Sequence, residues 1–407
     1  MISGDELIYL DNNATTSLDP QVLEEMLPFL GKYYGNPSSG YGFAAAARKA
    51  VDLARERLAA LLGCEPSEII FTSGGTESNN AVIHSALHFE PRGKFATGRI
   101  RRGGHVVTSA VEHSAVLRPC QDLEKHGCAV AFLGVDRHGN VDLADLEAAI
   151  HPETALVSMM WANNETGVLF PVEEIAEVCH RKGVLFHTDA VQAVGKIPIR
   201  LRDTAINFLS LSAHKFHGPK GIGALYVNRR TRFQPLITGG GQENGRRGGT
   251  ENVASIVGLG KAAELALKYL ADGNCSVRSM RDRFEKAVLE TMSGASVNGA
   301  GALRIPNTSS LSFEGIESSA ALLLLDRHGI CCSAGSACRT GSQEASHVLR
   351  AMSPNGDGAR RSLRFSFGRF NTEGQIDRAI EVVPKVIGKL RQIASPLAVA
   401  GIGDPGR

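Results

Sequence analysis

The chain has 407 residues with 44 Lys and Arg against 42 Asp and Glu, long enough for a large core and two domains and without the bulk charge that draws a protein to nucleic acid or an anionic membrane. Its start shows no basic segment followed by an apolar one, and no apolar run nears the roughly 20 residues of a membrane span, so a soluble, cytoplasmic protein is expected. The eight cysteines are scattered without paired zinc spacing, which in so long a chain argues for free thiols over a disulfide framework.

In chain order, Leu7 to Leu10 reads as a short strand entering the polar turn Asp11-Asn12-Asn13-Ala14-Thr15-Thr16. Asp19-Pro20 then starts a helix through about Leu30. Phe43 to Leu62 has helical periodicity and Gly63 ends it. Glu68 to Thr72 is a buried strand followed by Ser73-Gly74-Gly75-Thr76-Glu77-Ser78 and a helix through about His88; the free amides and positive end of such a helix suit a phosphate. Residues 91–104 are basic and glycine-bearing, an expected exposed loop. A strand at 105–108 delivers Glu112 and His113, and alternation continues: helix 115–126, strand 129–133, helix 142–150, strand 155–161, helix 172–181. This pattern predicts an α/β fold, a mostly parallel sheet covered on both faces.

Two further strands carry the chemistry. Val184 to Ala190 delivers Asp189, with Gln192 just beyond, and Ile206 to Ala213 delivers Ser212, His214 and Lys215. Groups at the carboxyl ends of strands face the ligand crevice of an open sheet, so Asp189 and Lys215 can converge on one small molecule. A lysine that forms a Schiff base and an acid beside a ring nitrogen are what pyridoxal phosphate requires. His113, at the same edge, can stack on a ring, pass a proton, or simply be a satisfied polar residue. A strand at 223–227 returns, the polar loop 239–250 ends at Thr250, and helices run from Asn252 to about Leu270 and from Ser276 to about Met292. The domain change is placed near 260. The rest, with strands near 311–313 and 363–367 and helices at 318–328, 343–351 and 373–393, reads as a smaller α+β unit.

Bland readings account for several motifs. Gly74-Gly75-Thr76 lacks the Lys-Ser/Thr ending of a nucleotide loop, and Gly258-Leu259-Gly260 sits in a helical pattern. Cys64, Cys120, Cys128 and Cys179 fall in helix and strand patterns as small hydrophobes, and Cys331 and Cys332 end an apolar run and are expected to be buried. Cys338 differs: it lies in the small-residue run Ser333 to Gly341, expected to be mobile and exposed, and Arg339 beside it favours thiolate.

Taken together, LDNNATT (10–16), GNPSS (35–39), FTSGGTES (71–78), VEHSAV (111–116), WANNETG (161–167), HTDAVQAVGK (187–196), SAHKFHGPKG (212–221), RRGGTEN (246–252), SAGSACRTGS (333–342) and LRFSFGRF (363–370) resemble the pyridoxal-phosphate cysteine desulfurases over nearly the whole chain. WANNETG, HTDAVQAVGK and SHVLRAM (346–352) resemble the NifS-type branch associated with nitrogen fixation, with the IscS-type branch as its neighbour. The resemblance implies a fold type I transferase, its large domain at 16–260 and its small domain formed by 1–15 and 261–407. It implies that Lys215 carries the cofactor, Asp189 pairs with the ring nitrogen, and Gln192 and Asn164 lie near the phenolic oxygen and the substrate carboxylate. His113 would stack on the ring and move protons. Gly75, Thr76, Ser212 and His214 would hold the phosphate, with Thr250 reaching it from the partner subunit of a homodimer. Arg364 would clamp the carboxylate of L-cysteine. Cys338 would accept the sulfur as a persulfide, a transient ligand for an iron–sulfur cluster, and pass it to a scaffold protein. Departures from the family are Gly75, where Ala or Cys is common, Ala334 in place of a serine, a longer basic segment at 91–104, and a tail after Arg391 without the scaffold-binding extension. The alternatives are another reaction on the same cofactor, an aminotransferase or selenocysteine lyase, and a non-catalytic sulfur carrier or scaffold. Cys338 separates the first of these, because an aminotransferase has no use for it.

Overall fold

Most of the short runs that become strands of the main sheet are buried, and the amphipathic stretches between them become the helices that cover the sheet. The structure is a computed structural model and describes residues 7–88, 104–271, 275–334, 345–353 and 357–399. Cys338 and most of the basic segment, residues 91–103, lie outside the described residues. The elements in order are β1 (Ile8–Tyr9), α1 (Pro20–Gly31), α2 (Ala45–Leu62), β2 (Ile69–Thr72), α3 (Gly75–Leu87), β3 (His105–Ser109), α4 (Ser114–Lys125), β4 (Ala129–Leu133), α5 (Leu143–Ala149), β5 (Thr154–Met160), α6 (Val172–Lys182), β6 (Leu185–Asp189), β7 (Phe208–Ser212) and β8 (Gly223–Val227). They continue with α7 (Val253–Ala271), α8 (Cys275–Thr291), β9 (Ala295–Val297), β10 (Thr308–Phe313), α9 (Ser318–Arg327), β11 (Ile330–Cys331), α10 (His347–Met352), β12 (Ser362–Ser366) and α11 (Glu373–Val399).

The main sheet has the order β2-β8-β7-β6-β5-β3-β4. β7, β6, β5, β3 and β4 are parallel, and β8 runs against both β7 and β2. The carboxyl ends of β2, β3, β5, β6 and β7 therefore share one edge, where an open sheet of this kind binds its ligand. One apolar core lies under α1, α2, α6 and α7, and a second, around Val82, Val116 and Phe208, lies on the opposite face with α3 and α4. α7 lies against α2 closely enough that a Cβ on Gly260 would come 2.4 Å from Ala54 Cα, so this glycine belongs to helix packing.

The C-terminal part adds an antiparallel sheet, β12-β10-β9, and a parallel pair, β1-β11, around a core of Phe284, Phe313, Phe365 and Phe367. The first strand of the chain thus belongs to the same layer as its last. Cys64, Cys120, Cys128 and Cys179 are buried, and burial raises each thiol, the first, second and fourth to about 12. Cys331 and Cys332 are only partly buried, contrary to the sequence expectation. No described helix is long and apolar enough to cross a membrane.

Candidate active site

The turn from β2 into α3 passes over the start of β8. A Cβ on Gly223 would meet Leu211 O at 2.4 Å and Gly74 Cα at 2.7 Å, so only glycine lets the turn lie this low. Gly74 has φ 151°, open to glycine, and a Cβ built on it would be 3.7 Å from Ser212 Oγ. The hydroxyl at the end of β7 therefore sits at the start of α3, whose first amides have no intrahelical acceptor. Gly75 and Thr76 supply two of those amides, and space at Gly75 is taken by Val191, whose Cγ2 is 2.5 Å from where a Cβ would be. Burial alone would raise the Glu77 carboxyl, but hydrogen bonds from Arg247 and Ser73 hold it below the usual range.

Asp189, at the end of β6, is buried and pre-set. Its Oδ2 accepts from Asn79 Nδ2 at 2.7 Å and its Oδ1 from Val191 N at 3.0 Å. Asn79 was not singled out by the sequence; one turn into α3, it faces the sheet, and its own Oδ1 is buried with no partner among the described residues. His113 follows β3 and caps α4, its Nδ1 accepting from Ala115 N at 3.1 Å, which leaves Nε2 as the protonated nitrogen. The neighbouring Glu112 is fully buried, accepts from Ser109 Oγ and Met160 N through Oε1, and is pushed by burial up to about 8.

Lys215 Nζ donates to the carbonyls of Asn13 and Ala14, both at 2.7 Å. His214 shares a hydrogen bond with Thr15 Oγ1 at 3.1 Å, and burial, then the charges of Lys215, Lys220 and Lys196, push it down to about 4, so it is a neutral ring. Gln192 Nε2 donates to Asn13 O at 2.9 Å. Arg364, on β12 and 2% exposed, donates to Asn164 O at 2.8 Å and to Asp11 Oδ1 at 2.6 Å, while its Nε has no acceptor among the described residues. Lys215, Gln192, Asn164 and Arg364 are thus joined through Asn13, which also donates to Asn164 O at 3.2 Å. Asn13 and Lys196 are further members that the sequence reading passed over.

Thr250 is exposed, at the end of a loop fastened elsewhere. Glu243 accepts from both terminal nitrogens of Arg55 at 2.8 Å and from Phe71 N at 3.0 Å, and Arg247 pairs with Glu77. Among the described residues no cluster of His, Cys, Asp or Glu could hold a metal ion.

The donor set suits a phosphorylated aldehyde with a basic ring nitrogen. A held carboxylate faces the ring nitrogen's requirement, helix amides with a serine hydroxyl and a neutral histidine suit the phosphate, and Lys215 supplies the amine. Arg364 has a donor to spare for a substrate carboxylate.

Residues 8–379 match the family described as aminotransferase class-V. A cysteine desulfurase of Gluconacetobacter diazotrophicus is 52% identical over 389 residues, 95% of each chain, and one of Trichormus azollae is 51% identical over 388 residues, 95% of this chain and 94% of that one. A solved structure described as a NifS-like protein superposes with a TM-score of 0.85 at 37% identity, covering 94% of this chain and all of the other. Another, described as SspA in complex with cysteine, gives 0.77 at 36% identity over 89% of this chain and 99% of that one. The chain belongs to the aminotransferase class-V family and, within it, to the pyridoxal-phosphate-dependent cysteine desulfurases.

Proposed function

We propose that the chain takes sulfur from L-cysteine, releases L-alanine and carries the sulfur as a persulfide on Cys338 to an acceptor protein. The observation that carries this reading is the single hydrogen-bonded unit at the sheet edge in which Asn13 ties Lys215 and Gln192 to Asn164 and Arg364. Bound there, pyridoxal phosphate supplies an electron sink that makes the substrate's α-proton removable. Lys215 would hold the cofactor through its amine, and Nζ holds or returns a proton. Asp189 keeps the ring nitrogen protonated, its carboxylate fixed by Asn79 and Val191. Gly75, Thr76, Ser212 and His214 would hold the phosphate, and His113 would stack on the ring and pass protons through Nε2. Arg364 orients the substrate by its carboxylate, with Asn164 and Gln192 beside it.

Cys338 then attacks the sulfur of the bound cysteine. Ser333 supports its access: it bonds through its backbone to Arg364, and the extended chain from 333 to 338 spans at most about 18 Å. We further propose a homodimer in which Thr250 reaches the partner subunit's phosphate site. α1 and the turn after it leave Leu27, Leu30, Tyr34 and Tyr41 more than half exposed, the kind of apolar face that a second copy covers. The finer assignments follow the NifS resemblance: a cytoplasmic enzyme, a scaffold for iron–sulfur clusters as acceptor, service to nitrogenase, the persulfide as a transient cluster ligand, and the division at residue 260.

The test compares wild type, Lys215→Ala and Cys338→Ala incubated with L-cysteine, measuring alanine and sulfide. Both variants should lose sulfide release, and Lys215→Ala should also lose the visible band of the bound cofactor. Wild-type sulfide release from Cys338→Ala would overturn the persulfide route.

A further inference from the structure

Asn13 is 1% exposed and each of its polar atoms is engaged. Its N–H donates to Ser366 Oγ (2.9 Å), and its Nδ2 to Thr308 Oγ1 (2.8 Å) and Asn164 O (3.2 Å). Its Oδ1 accepts from Asn307 Nδ2 and Lys196 Nζ, both at 3.0 Å. The carbonyl oxygen accepts from Gln192 Nε2 and Lys215 Nζ. Lys196 Nζ also donates to Gln192 Oε1 at 2.6 Å. Lys196 therefore holds both the Asn13 side chain and Gln192, which donates to the Asn13 carbonyl.

Lys196 is itself only 9% exposed. Burial, and then the charges of Lys215 and Arg364, lower its pKa well below the ordinary lysine value. An unbranched apolar side chain would fill the same space without that desolvation cost but would give Asn13 Oδ1 and Gln192 Oε1 no donor.

We propose that Lys196 is a positioning residue for Lys215: by holding Asn13 and Gln192 it sets the two carbonyls, Asn13 O and Ala14 O, that receive the Lys215 amine when a substrate amine displaces it from the cofactor. This rests on the reading of Lys215 as the cofactor-bearing lysine. In the exchange the C=N bond to Lys215 breaks as one to the incoming amine forms, with no net change of protons or electrons. The displaced amine ends a flexible four-carbon stem. A fixed two-point receiver confines it where it can return a proton and re-form its bond, which is worth more than leaving it to search.

The test mixes the full-length holoenzyme with L-cysteine in a stopped-flow instrument and follows the cofactor's absorbance, and separately follows reloading of the stripped chain with pyridoxal phosphate. Lys196→Met should slow both by about tenfold to a hundredfold, the effect of leaving buried acceptors without their donor, without lowering the melting temperature. Asn13→Ser, which keeps the carbonyl and removes the Lys196 contact, should slow them likewise, and Lys196→Arg should recover part of the rate. Wild-type rates in Lys196→Met, or slowing that only tracks a loss of folding stability, would overturn the inference. Borohydride trapping and peptide mass spectrometry separate the two levels: cofactor trapped on a lysine other than Lys215 defeats the underlying reading, whereas trapping on Lys215 with wild-type exchange in Lys196→Met defeats this inference alone.

Discussion

Ser333 and Arg364 exchange both backbone hydrogen bonds, 3.1 Å from Ser333 N to Arg364 O and 2.6 Å from Arg364 N to Ser333 O. The chain leading to Cys338 thus departs from the strand that carries the proposed carboxylate clamp. Beyond residue 344 it is again tied to the site: Ser346 Oγ donates to Glu165 Oε2 at 2.5 Å and His347 Nε2 to Glu112 O at 2.9 Å. Glu165 follows Asn164, and Glu112 precedes His113.

Ser346→Ala removes the Glu165 contact together with the α10 cap, since Ser346 Oγ also accepts from Leu349 N. The expected cost is about 1 kcal/mol of stability. Persulfide formation should slow while cofactor loading stays normal. Mass spectrometry of the Cys338 peptide after a cysteine pulse, beside a cofactor titration, checks the split.

Arg364→Lys keeps a positive charge but loses the planar fork that serves Asn164 O, Asp11 and a substrate carboxylate together. KM for L-cysteine should rise by about tenfold to a hundredfold, with a smaller change in kcat. Steady-state alanine release measures both. An unchanged KM would remove Arg364 from the substrate's binding set.

The pH dependence of stability has one sign at Glu112 and the other at His187. Burial raises Glu112 from 4.5 to about 8, so the fold favours its protonated form; that contribution is full below about 4.5, shrinks as pH rises and is gone above about 8. Glu112→Gln should flatten this loss. Urea midpoints at pH 6 and pH 9 should fall further apart in wild type than in the variant. Burial lowers His187 from 6.5 to about 3, its ring held neutral between Ser158 and Ser210, so its contribution is lost as pH falls from about 6.5 through about 3.

Glu243 is buried, has φ 49° and is followed by Asn244 at φ 57°, an unusual left-handed pair in non-glycine residues. Its bonds to Arg55 and Phe71 N offset that strain. Glu243→Gln replaces Oε1, the acceptor for one Arg55 nitrogen, with an amide donor and removes the charge, and should cost about 2–3 kcal/mol in denaturant unfolding. Glu243→Gly relieves the backbone but loses all three contacts, so it should destabilise as well.

The main sheet was legible because most of its strands are short, largely buried runs; β4, at the edge, is the exception, its residues exposed or half-buried. Residues 129–133 and 223–227 match β4 and β8 at both ends, and Gly63 closes α2 in the left-handed conformation expected of it. β10 begins at Thr308, three residues before the apolar signal at Leu311. Its buried serines are paired at long range, Ser309 with Glu285 and Ser310 with Asn298, and no local pattern announces that. β9 and β11 are too short to show alternation. Asp189 and Lys215 stood out at strand ends and Arg364 through the family resemblance, whereas Asn13, Asn79 and Lys196 act through partners remote in sequence and look like ordinary polar residues in a row of letters.

That remoteness affects how the enzyme comes into being. Asn13 emerges early from a ribosome, but Ser366, to which its amide is bonded, lies 353 residues later. At roughly 5–20 residues per second the nascent chain waits on the order of tens of seconds before its first polar turn can be sealed. The main sheet can form in that interval, but the lysine receiver cannot be complete until translation has nearly ended, so a stalled or truncated product should be folded in part and catalytically silent.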